Sequence, residues 1–143
     1  MVFKSIDSMN PLKIEQTNVS PFVNFNPSLG IYVLAGYSRP ENVRDFYFPI
    51  INWLESFKKE QLAIKETGKT LNPINFDFKF IYFNSSSAKF LYDIVILLNE
   101  MQKSGLPINI NWHFDKDDDE LREAGEELSD MAQVPFKFIE INS

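Results

Sequence analysis

Three consecutive serines, Ser85, Ser86 and Ser87, are the residues of this 143-residue chain whose chemistry is most suggestive. They lie where an aromatic strand pattern, residues 75–83, gives way to an apolar helix pattern, residues 88–103. A helix start presents unpaired backbone N–H groups and the positive end of the helix dipole, so it stabilises an anion that is bound or covalently attached there. A phosphoryl group on Ser85, with Ser86 and Ser87 as alternatives, would use that property.

The same stretch has a simpler interpretation as a helix cap. Asn84 or Ser85 would accept a hydrogen bond from the first helical turn, and composition alone favours this interpretation. Lys89 lies one turn after Ser85 on the same helix face, where its ammonium group could pair with a phosphoryl group. A third interpretation is a small anion- or nucleotide-binding module that uses the same helix start without a covalent bond.

Two other polar segments could form a functional site, and each also has a simpler structural explanation. His113 lies close to an acidic run that suggests a metal-dependent enzyme, namely Asp115, Asp117, Asp118, Asp119 and Glu120. The run lacks the ligand spacing and the glycine of a calcium loop, so an exposed strand histidine followed by a charged helix start is favoured. A loop at another strand-to-helix junction, residues 39–42, is typical of a polar surface turn.

Composition excludes several kinds of site. The chain has no cysteine and one histidine, which rules out disulfides, thiolate nucleophiles, iron–sulfur clusters and multi-histidine metal sites. No G-x-S-x-G elbow accompanies the serines, and no glycine-rich phosphate loop is present, so we expect no cofactor and no metal. The net charge of −6 disfavours nucleic acid and anionic membranes as partners. Without a long apolar run, we expect a cytoplasmic protein.

Hydrophobic periodicity predicts the elements that must position these residues. Alternating apolar residues predict strands, and apolar residues at helical spacing predict helices. The predicted strands span residues 12–16, 19–26, 31–35, 75–83, 108–115 and 136–141. The predicted helices run from a cap at residues 42–45 to about residue 64 with a bend at Pro49, over residues 88–103, and from a capping box at Asp117 and Glu120 to residue 132.

This order, β-β-β-α-β-α-β-α-β, predicts a single α/β domain over residues 11–143, preceded by a ragged segment, residues 1–10. The first three strands predict an antiparallel meander, and the later alternation predicts parallel pairs joined by right-handed crossovers. The fold class is therefore an α/β domain with a mixed sheet. Trp53 and Trp112 fall at apolar positions and are predicted to lie in the core.

One strand is apolar on both faces at its end. In residues 75–83, alternation places Phe76, Phe78, Phe80 and Tyr82 on one face, and Ile81 and Phe83 on the other. Strands that are apolar on both faces are typically buried between two layers. We therefore predict that this strand is covered on both sides where it leads into the serines.

Three stretches, in this order and spacing, resemble one protein family. They are Tyr37-Ser38-Arg39-Pro40-Glu41-Asn42 with Ile51-Asn52-Trp53-Leu54, then Ile81-Tyr82-Phe83-Asn84-Ser85-Ser86-Ser87-Ala88-Lys89, and then Trp112-His113-Phe114-Asp115. Together they are similar to the SiaC family of bacterial regulatory phosphoproteins, over roughly residues 11–141. The resemblance implies a single regulatory domain with a STAS-like fold and no catalytic machinery.

The resemblance also implies a switch. Members are phosphorylated on a Ser or Thr at the start of the second helix, a position that falls on Ser85, where Ser replaces the Thr of the best-known member and keeps the hydroxyl. In that system a dedicated Ser/Thr protein kinase adds the phosphate and a PP2C-type phosphatase removes it. The unphosphorylated form activates a diguanylate cyclase, so the implied output is cyclic-di-GMP signalling through a cyclase or another signalling protein.

The physics of a helix start agrees with this implied mechanism. Phosphorylation would add about −1.5 to −2 charges at Ser85, and a partner that buries this position would have to desolvate or repel them. The residues predicted to form the surrounding partner-binding surface are Asn84, Lys89, Arg39, Glu41 and Asn42.

Overall fold

Six strands and three helices occur between residues 9 and 142, the part of the chain that this computed structural model describes. Their order is the predicted one, and of the predicted ragged segment, residues 1–10, all but the last two residues lie outside the described part. The strands are β1 (Leu12–Ile14), β2 (Phe22–Asn26), β3 (Ile31–Ser38), β4 (Ile74–Phe83), β5 (Ile108–Asp115) and β6 (Lys137–Ile141). The helices are α1 (Val43–Glu66), α2 (Ser85–Lys103) and α3 (Asp119–Ala132).

The strands form one mixed sheet in the order in which they occur in the chain. β1, β2 and β3 pair antiparallel, and β3 to β6 pair parallel, which confirms the predicted fold class. Each crossover helix joins a strand to its immediate neighbour, always in the same direction along the sheet. Because such crossovers are right-handed, α1, α2 and α3 all lie on one face of the sheet.

The core lies between that helical layer and the sheet. α2 is the central helix, with α1 on one side and α3 on the other. Trp112 of β5 is fully buried beneath them and packs against the aromatic rings of Phe78, Phe80, Phe83 and Phe136. Trp53, also predicted to lie in the core, is half-buried and stacks on Phe57. None of the helices between residues 9 and 142 is both long and apolar enough to cross a membrane.

The prediction that β4 is buried on both sides is wrong. All helices lie on the opposite face of the sheet, and the side chains of Ile81 and Tyr82 are 56% and 49% exposed. The pairing of β3 with β4 shifts by one residue here, because Gly36 lies opposite Phe80 and Tyr37 lies opposite Tyr82. Such a bulge reverses the side-chain alternation beyond it. Tyr82 therefore points away from the helices, and Phe83 points towards them, opposite to the predicted pattern.

Several predicted boundaries also change. β1 ends at residue 14 rather than 16, and β2 begins at residue 22 rather than 19. β3 does not end at Gly36 but continues to Ser38, because the glycine adopts a positive φ of 97° and the strand pairs on through the bulge. α2 begins at Ser85, three residues earlier than predicted, because Asn84 caps it. The cap of α3 is Asp118 rather than Asp117, and its carboxylate accepts a hydrogen bond from the N–H of Leu121.

Gly125 allows α3 to pack closely against the sheet. A Cβ atom at this position would lie 2.5 and 2.6 Å from the Trp112 ring atoms Cδ1 and Cε2. The indole N–H in turn donates to the carbonyl oxygen of Leu121 at 3.1 Å, so the ring is held in place. Neither the helix nor the ring can shift without losing contacts in the core.

We therefore expect Gly125→Ala to destabilise the protein by about 1–3 kcal/mol, the usual cost of overpacking. Urea or thermal unfolding would measure this. Glu123→Ala on the exposed side of the same helix is the control and should change stability by less than about 0.5 kcal/mol. A more stable Gly125→Ala variant would contradict the packing argument, because the higher helix propensity of Ala would then outweigh any clash with Trp112.

Candidate functional site

The start of α2 is fixed to the end of β3 by backbone and side-chain hydrogen bonds. Asn84 is the N-cap: its side-chain oxygen accepts from the N–H of Ser87 at 2.9 Å. The N–H of Asn84 donates to the carbonyl oxygen of Ser38 at 3.0 Å. Ser85 is therefore the first residue of the helix, and its backbone has a defined position at the carboxyl ends of β3 and β4.

The three serines have different environments. Ser85 and Ser86 are exposed, whereas Ser87 is completely buried. The hydroxyl of Ser87 donates to the carbonyl oxygen of Ser38 at 3.0 Å and accepts from the Ser38 hydroxyl at 2.8 Å. A phosphoryl group on Ser87 would have to break both hydrogen bonds and enter the core, so only the first two serines offer a hydroxyl that another protein can reach.

A buried chain of hydroxyl groups lies below this helix start. The hydroxyl of Tyr47, in α1, lies 2.5 Å from the Ser38 hydroxyl. Since the Ser38 hydrogen is used on Ser87, and the Ser87 hydrogen on the Ser38 carbonyl, the tyrosine hydroxyl is the donor at its end. Tyr47, Ser38 and Ser87 are all fully buried, and we refer to them as the hydroxyl chain. Burial raises the pKa of Tyr47 to about 12, although its hydrogen bonds act in the opposite direction.

An apolar groove lies beside Ser85, between α2 and α3. It has a volume of about 370 Å³, and its apolar lining consists of Phe83, Ala88, Tyr92, Ala124, Leu128 and Met131. Ser85, Lys89 and Glu127 complete its rim. Met131 is 62% exposed, so part of the apolar lining is open to solvent. The groove therefore joins an apolar surface to an exposed hydroxyl.

Lys89 is the one cation among the residues that line this groove. Its ammonium lies 3.4 Å from an Asp93 carboxylate oxygen and 4.9 Å from the centre of the Phe90 ring. An exposed ion pair of this kind contributes little, typically about 0.5 kcal/mol. The lysine can therefore exchange Asp93 for another anion on the same helix face at small cost.

The predicted loop of residues 39–42 lies at the same end of the sheet as the serines. Arg39 directly follows Ser38, and its N–H donates to the carbonyl oxygen of Val19 at 2.7 Å. Asn42 caps α1 by accepting from the N–H of Asp45 at 3.1 Å. Arg39, Glu41 and Asn42 are all exposed. The structure thus brings together both predicted segments of the partner-binding surface.

His113 is not part of this site, whereas two residues of the acidic run, Asp118 and Glu120, line a neighbouring pocket that shares Phe83 with the groove. The His113 Nε2 atom lies 2.9 Å from a carboxylate oxygen of Asp77, on the face of the sheet opposite the helices. Asn111 donates to the same carboxylate at 3.1 Å. Asp115, the predicted neighbour of the histidine, instead accepts from the N–H of Asp117. Among residues 9–142 no three acidic or histidine side chains are grouped so that they could hold a metal ion.

Sequence reasoning missed Tyr47, Ser38 and Asp77. Side chains alternate between the two faces of a strand, so Ser38 lies on the same face as Tyr32 and Leu34, the face towards the helices. Extending the predicted strand through Gly36 would have revealed this. Asp77 aligns with Asn111 only once the parallel register of β4 and β5 is known. The sequence carries no signal for the contact between the Tyr47 and Ser38 hydroxyls.

Comparison with known proteins identifies relatives that cover nearly the whole chain. A family model described as SiaC family regulatory phosphoprotein matches residues 14–141. A Pseudomonas aeruginosa protein, the uncharacterized protein PA14_02130 of strain UCBPP-PA14, is 30% identical over 128 residues, which span 90% of this chain and 94% of that protein.

Solved structures of SiaC also match nearly the whole chain. Apo-SiaC from Pseudomonas aeruginosa is 27% identical and superposes with a TM-score of 0.75, over 94% of this chain and all of that chain. The crystal structure of the diguanylate cyclase SiaD in complex with its activator SiaC, from the same organism, contains a chain that is 28% identical. That chain superposes with a TM-score of 0.76, over 91% of this chain and 99% of its own length.

The hydroxyl chain predicts a specific dependence of stability on pH. The ordinary pKa of tyrosine is about 10 and that of Tyr47 is raised to about 12, so between these values the native state keeps a proton that the unfolded state loses. The stability contributed by the neutral hydroxyl is complete below pH 10 and falls as pH rises towards 12, by up to about 1.4 kcal/mol per pH unit. Tyr47→Phe should therefore unfold with a shallower pH dependence in this window.

Urea unfolding of the parent and Tyr47→Phe, repeated across this window, measures the difference in slope. Burial also raises the pKa of Tyr32 to about 12, but its contribution is present in both proteins and cancels. Equal slopes for the two proteins would contradict the assignment of a buried, proton-donating hydroxyl at Tyr47.

Proposed function

This chain belongs to the SiaC family of regulatory phosphoproteins, and from that premise we propose that it is a switch protein whose phosphate acceptor is Ser85. The observation that carries the proposal is the position of that hydroxyl. It is exposed on the first residue of a capped helix, at the rim of an apolar groove. Ser86 is the alternative acceptor, because it is also exposed and lies in the same turn.

The electrostatics of the three helix starts support this proposal. The first turn of α1 contains Asp45, and the first turn of α3 contains Asp119 and Glu120, so both dipoles already have an acidic side chain nearby. The first turn of α2 contains no acidic residue. A phosphate on Ser85 would therefore meet the positive end of a helix and no like charge from that turn.

The groove beside Ser85 supports a role in protein binding. A partner that covers the groove would bury the apolar side chains and, with them, the rim that carries Ser85. The neutral serine can be buried at small cost, whereas a phosphoserine brings a charge of about −1.5 to −2 that the partner must desolvate. An effect of a few kcal/mol would be enough to switch binding, because each 1.4 kcal/mol changes affinity tenfold.

We take the partner to be a diguanylate cyclase, or another signalling protein, that the unphosphorylated form binds and activates. Pseudomonas aeruginosa SiaC, which this chain resembles over nearly its whole length, is an activator of the diguanylate cyclase SiaD. A Ser/Thr protein kinase and a PP2C-type phosphatase would add and remove the phosphate in the cytoplasm. The protein itself would act by binding and not as an enzyme.

The partner-binding surface would include residues from both segments at this end of the sheet. Asn84, the N-cap, precedes the acceptor, and Lys89 follows it on α2. Arg39, Glu41 and Asn42 belong to the loop that follows β3. Lys89 has a further role in this proposal, since it can leave Asp93 and approach a phosphate on Ser85, one turn away.

Peptide mapping by mass spectrometry of the protein isolated from its own cells tests the acceptor directly. Phosphoserine at residue 85 is the expected result, and phosphoserine at residue 86 would keep the mechanism and correct the position. Unmodified serines under all growth conditions would overturn the switch. In that case a rise in melting temperature with phosphate or nucleotide would favour a small anion-binding module.

A charge variant tests the mechanism. Ser85→Asp should leave the fold intact, or stabilise it by about 0.3–1 kcal/mol, because a carboxylate favours a helix start. It should nevertheless weaken binding to a diguanylate cyclase of the same organism by roughly tenfold or more, the equivalent of about 1.4 kcal/mol. Calorimetric titration measures the affinity, and thermal unfolding measures the fold.

Two control variants separate charge at the site from charge in general. Ser85→Ala removes the acceptor without adding charge and should bind like the unphosphorylated parent. Gln61→Glu adds the same charge as Ser85→Asp but lies near the opposite end of α1 and should not affect binding. If a folded Ser85→Asp protein binds as tightly as the parent, the proposed mechanism fails.

A further inference from the structure

We infer that the hydroxyl chain of Tyr47, Ser38 and Ser87 is a positioning device for the phosphate acceptor. It holds Ser85 and the loop of residues 39–42 in one relative geometry, the one that a kinase or binding partner recognises. This inference rests on the function proposed above and adds three residues that do not themselves touch a partner.

The hydroxyl chain joins three elements that otherwise end separately. Ser38 is the last residue of β3 and directly precedes the loop. Tyr47 lies in the second turn of α1, just after the loop, and Ser87 lies in the first turn of α2. Hydrogen bonds of 2.5 and 2.8 Å link the three hydroxyls in that order across the core. Both ends of the loop are thus tied to the helix start that carries the acceptor.

Ser85 lies between Asn84 and Ser87, which both donate a hydrogen bond to the same carbonyl oxygen. The carbonyl oxygen of Ser38 accepts from the backbone N–H of Asn84 at 3.0 Å and from the hydroxyl of Ser87 at 3.0 Å. The Asn84 side chain also binds the Ser87 N–H, which closes the turn. The backbone of the acceptor therefore cannot move without breaking a hydrogen bond on one side or the other.

The burial of this network makes its geometry specific. All three side chains of the hydroxyl chain are completely buried, and no buried polar side-chain atom among residues 9–142 is without a hydrogen-bond partner. A shift of α2 against β3 would leave buried hydroxyls unpaired, which is far more costly than the same shift between apolar surfaces. Apolar residues would fill the space, but they would not define one position of the helix in the same way.

The tyrosine ring extends the same connection to Lys89. It stacks on Phe90 with a centroid distance of 5.6 Å and an interplanar angle of 7°. The ammonium of Lys89 lies 4.9 Å from the centre of that Phe90 ring. Tyr47 therefore supports the cation on one side of the acceptor as well as the hydroxyl chain beneath it.

The test uses the full-length chain with phosphoserine inserted at position 85 during synthesis. In this protein the second pKa of the phosphate, followed by ³¹P NMR, should lie below its ordinary value of about 6, because an ordered helix start stabilises the dianion. In Tyr47→Phe the pKa should return towards that value. Amide hydrogen exchange over residues 85–90 should become about fivefold faster, the loss expected for one hydrogen bond.

Tyr32→Phe is the matched control. It removes a tyrosine hydroxyl from another buried side chain, which lies at the opposite end of β3. Any general effect on stability should appear in both variants, whereas the phosphate pKa and the local exchange should change only in Tyr47→Phe. Ser87→Ala is a second variant, should Tyr47→Phe fold poorly, and is expected to give the same changes. Values for both hydroxyl-chain variants that match the Tyr32→Phe control would overturn the inference.

The positioning role of the hydroxyl chain and the proposed function can be tested separately. Because the phosphoserine is inserted during synthesis, these measurements decide the positioning role whether or not cells phosphorylate Ser85. Absence of phosphoserine from the natural protein would count against the proposed acceptor alone. Where the natural protein is phosphorylated, the modified fraction should be lower in Tyr47→Phe than in Tyr32→Phe at equal protein abundance.

Discussion

The structure at the end of the sheet that carries Ser85 depends on the carbonyl oxygen of Ser38. This single acceptor lies at the end of β3 and receives hydrogen bonds from the backbone of Asn84 and the side chain of Ser87. Without it, the start of α2 and the strand that precedes the 39–42 loop would keep only the hydroxyl–hydroxyl hydrogen bond between Ser38 and Ser87 as a side-chain connection. A buried carbonyl must be paired, so the sheet determines where the second helix begins. The backbone position of Ser85, which lies between Asn84 and Ser87, follows from that constraint.

A second constraint is electrostatic and acts at the same place. A helix start that lacks acidic side chains leaves its unpaired N–H groups to water or to a ligand. In α2 the cap is an uncharged asparagine and the next three residues are serines, so no side chain at this helix start carries a charge unless one of the serines is modified. A fixed aspartate, as in α1 and α3, would stabilise the helix permanently but could not be switched.

Much of the fold could be predicted from the sequence, because periodicity reports directly on which face is buried. The element order, the mixed sheet and a cap of α1 within residues 42–45, found at Asn42, all followed from local patterns. The errors came from features that a single strand does not reveal. The bulge at Ile81 depends on how β4 pairs with β3, and it reverses Tyr82 and Phe83. Side-chain alternation alone cannot detect such a shift of register.

The candidate site was predictable only at its surface. Exposed residues such as Ser85 and Lys89 could be found because helix-start chemistry is local, whereas the support beneath them is formed by residues that are distant in sequence. Ser38 and Ser87 are 49 positions apart in the sequence. His113 pairs with Asp77 rather than Asp115, because adjacent parallel strands come from separate parts of the chain.

The position of all three helices on one face of the sheet explains why Ile81 and Tyr82 are exposed at the end that carries Ser85. With all three helices on one face, the carboxyl end of β4 leaves apolar side chains uncovered near Ser85. A partner that covered them would gain apolar contact, which a charge on Ser85 would oppose.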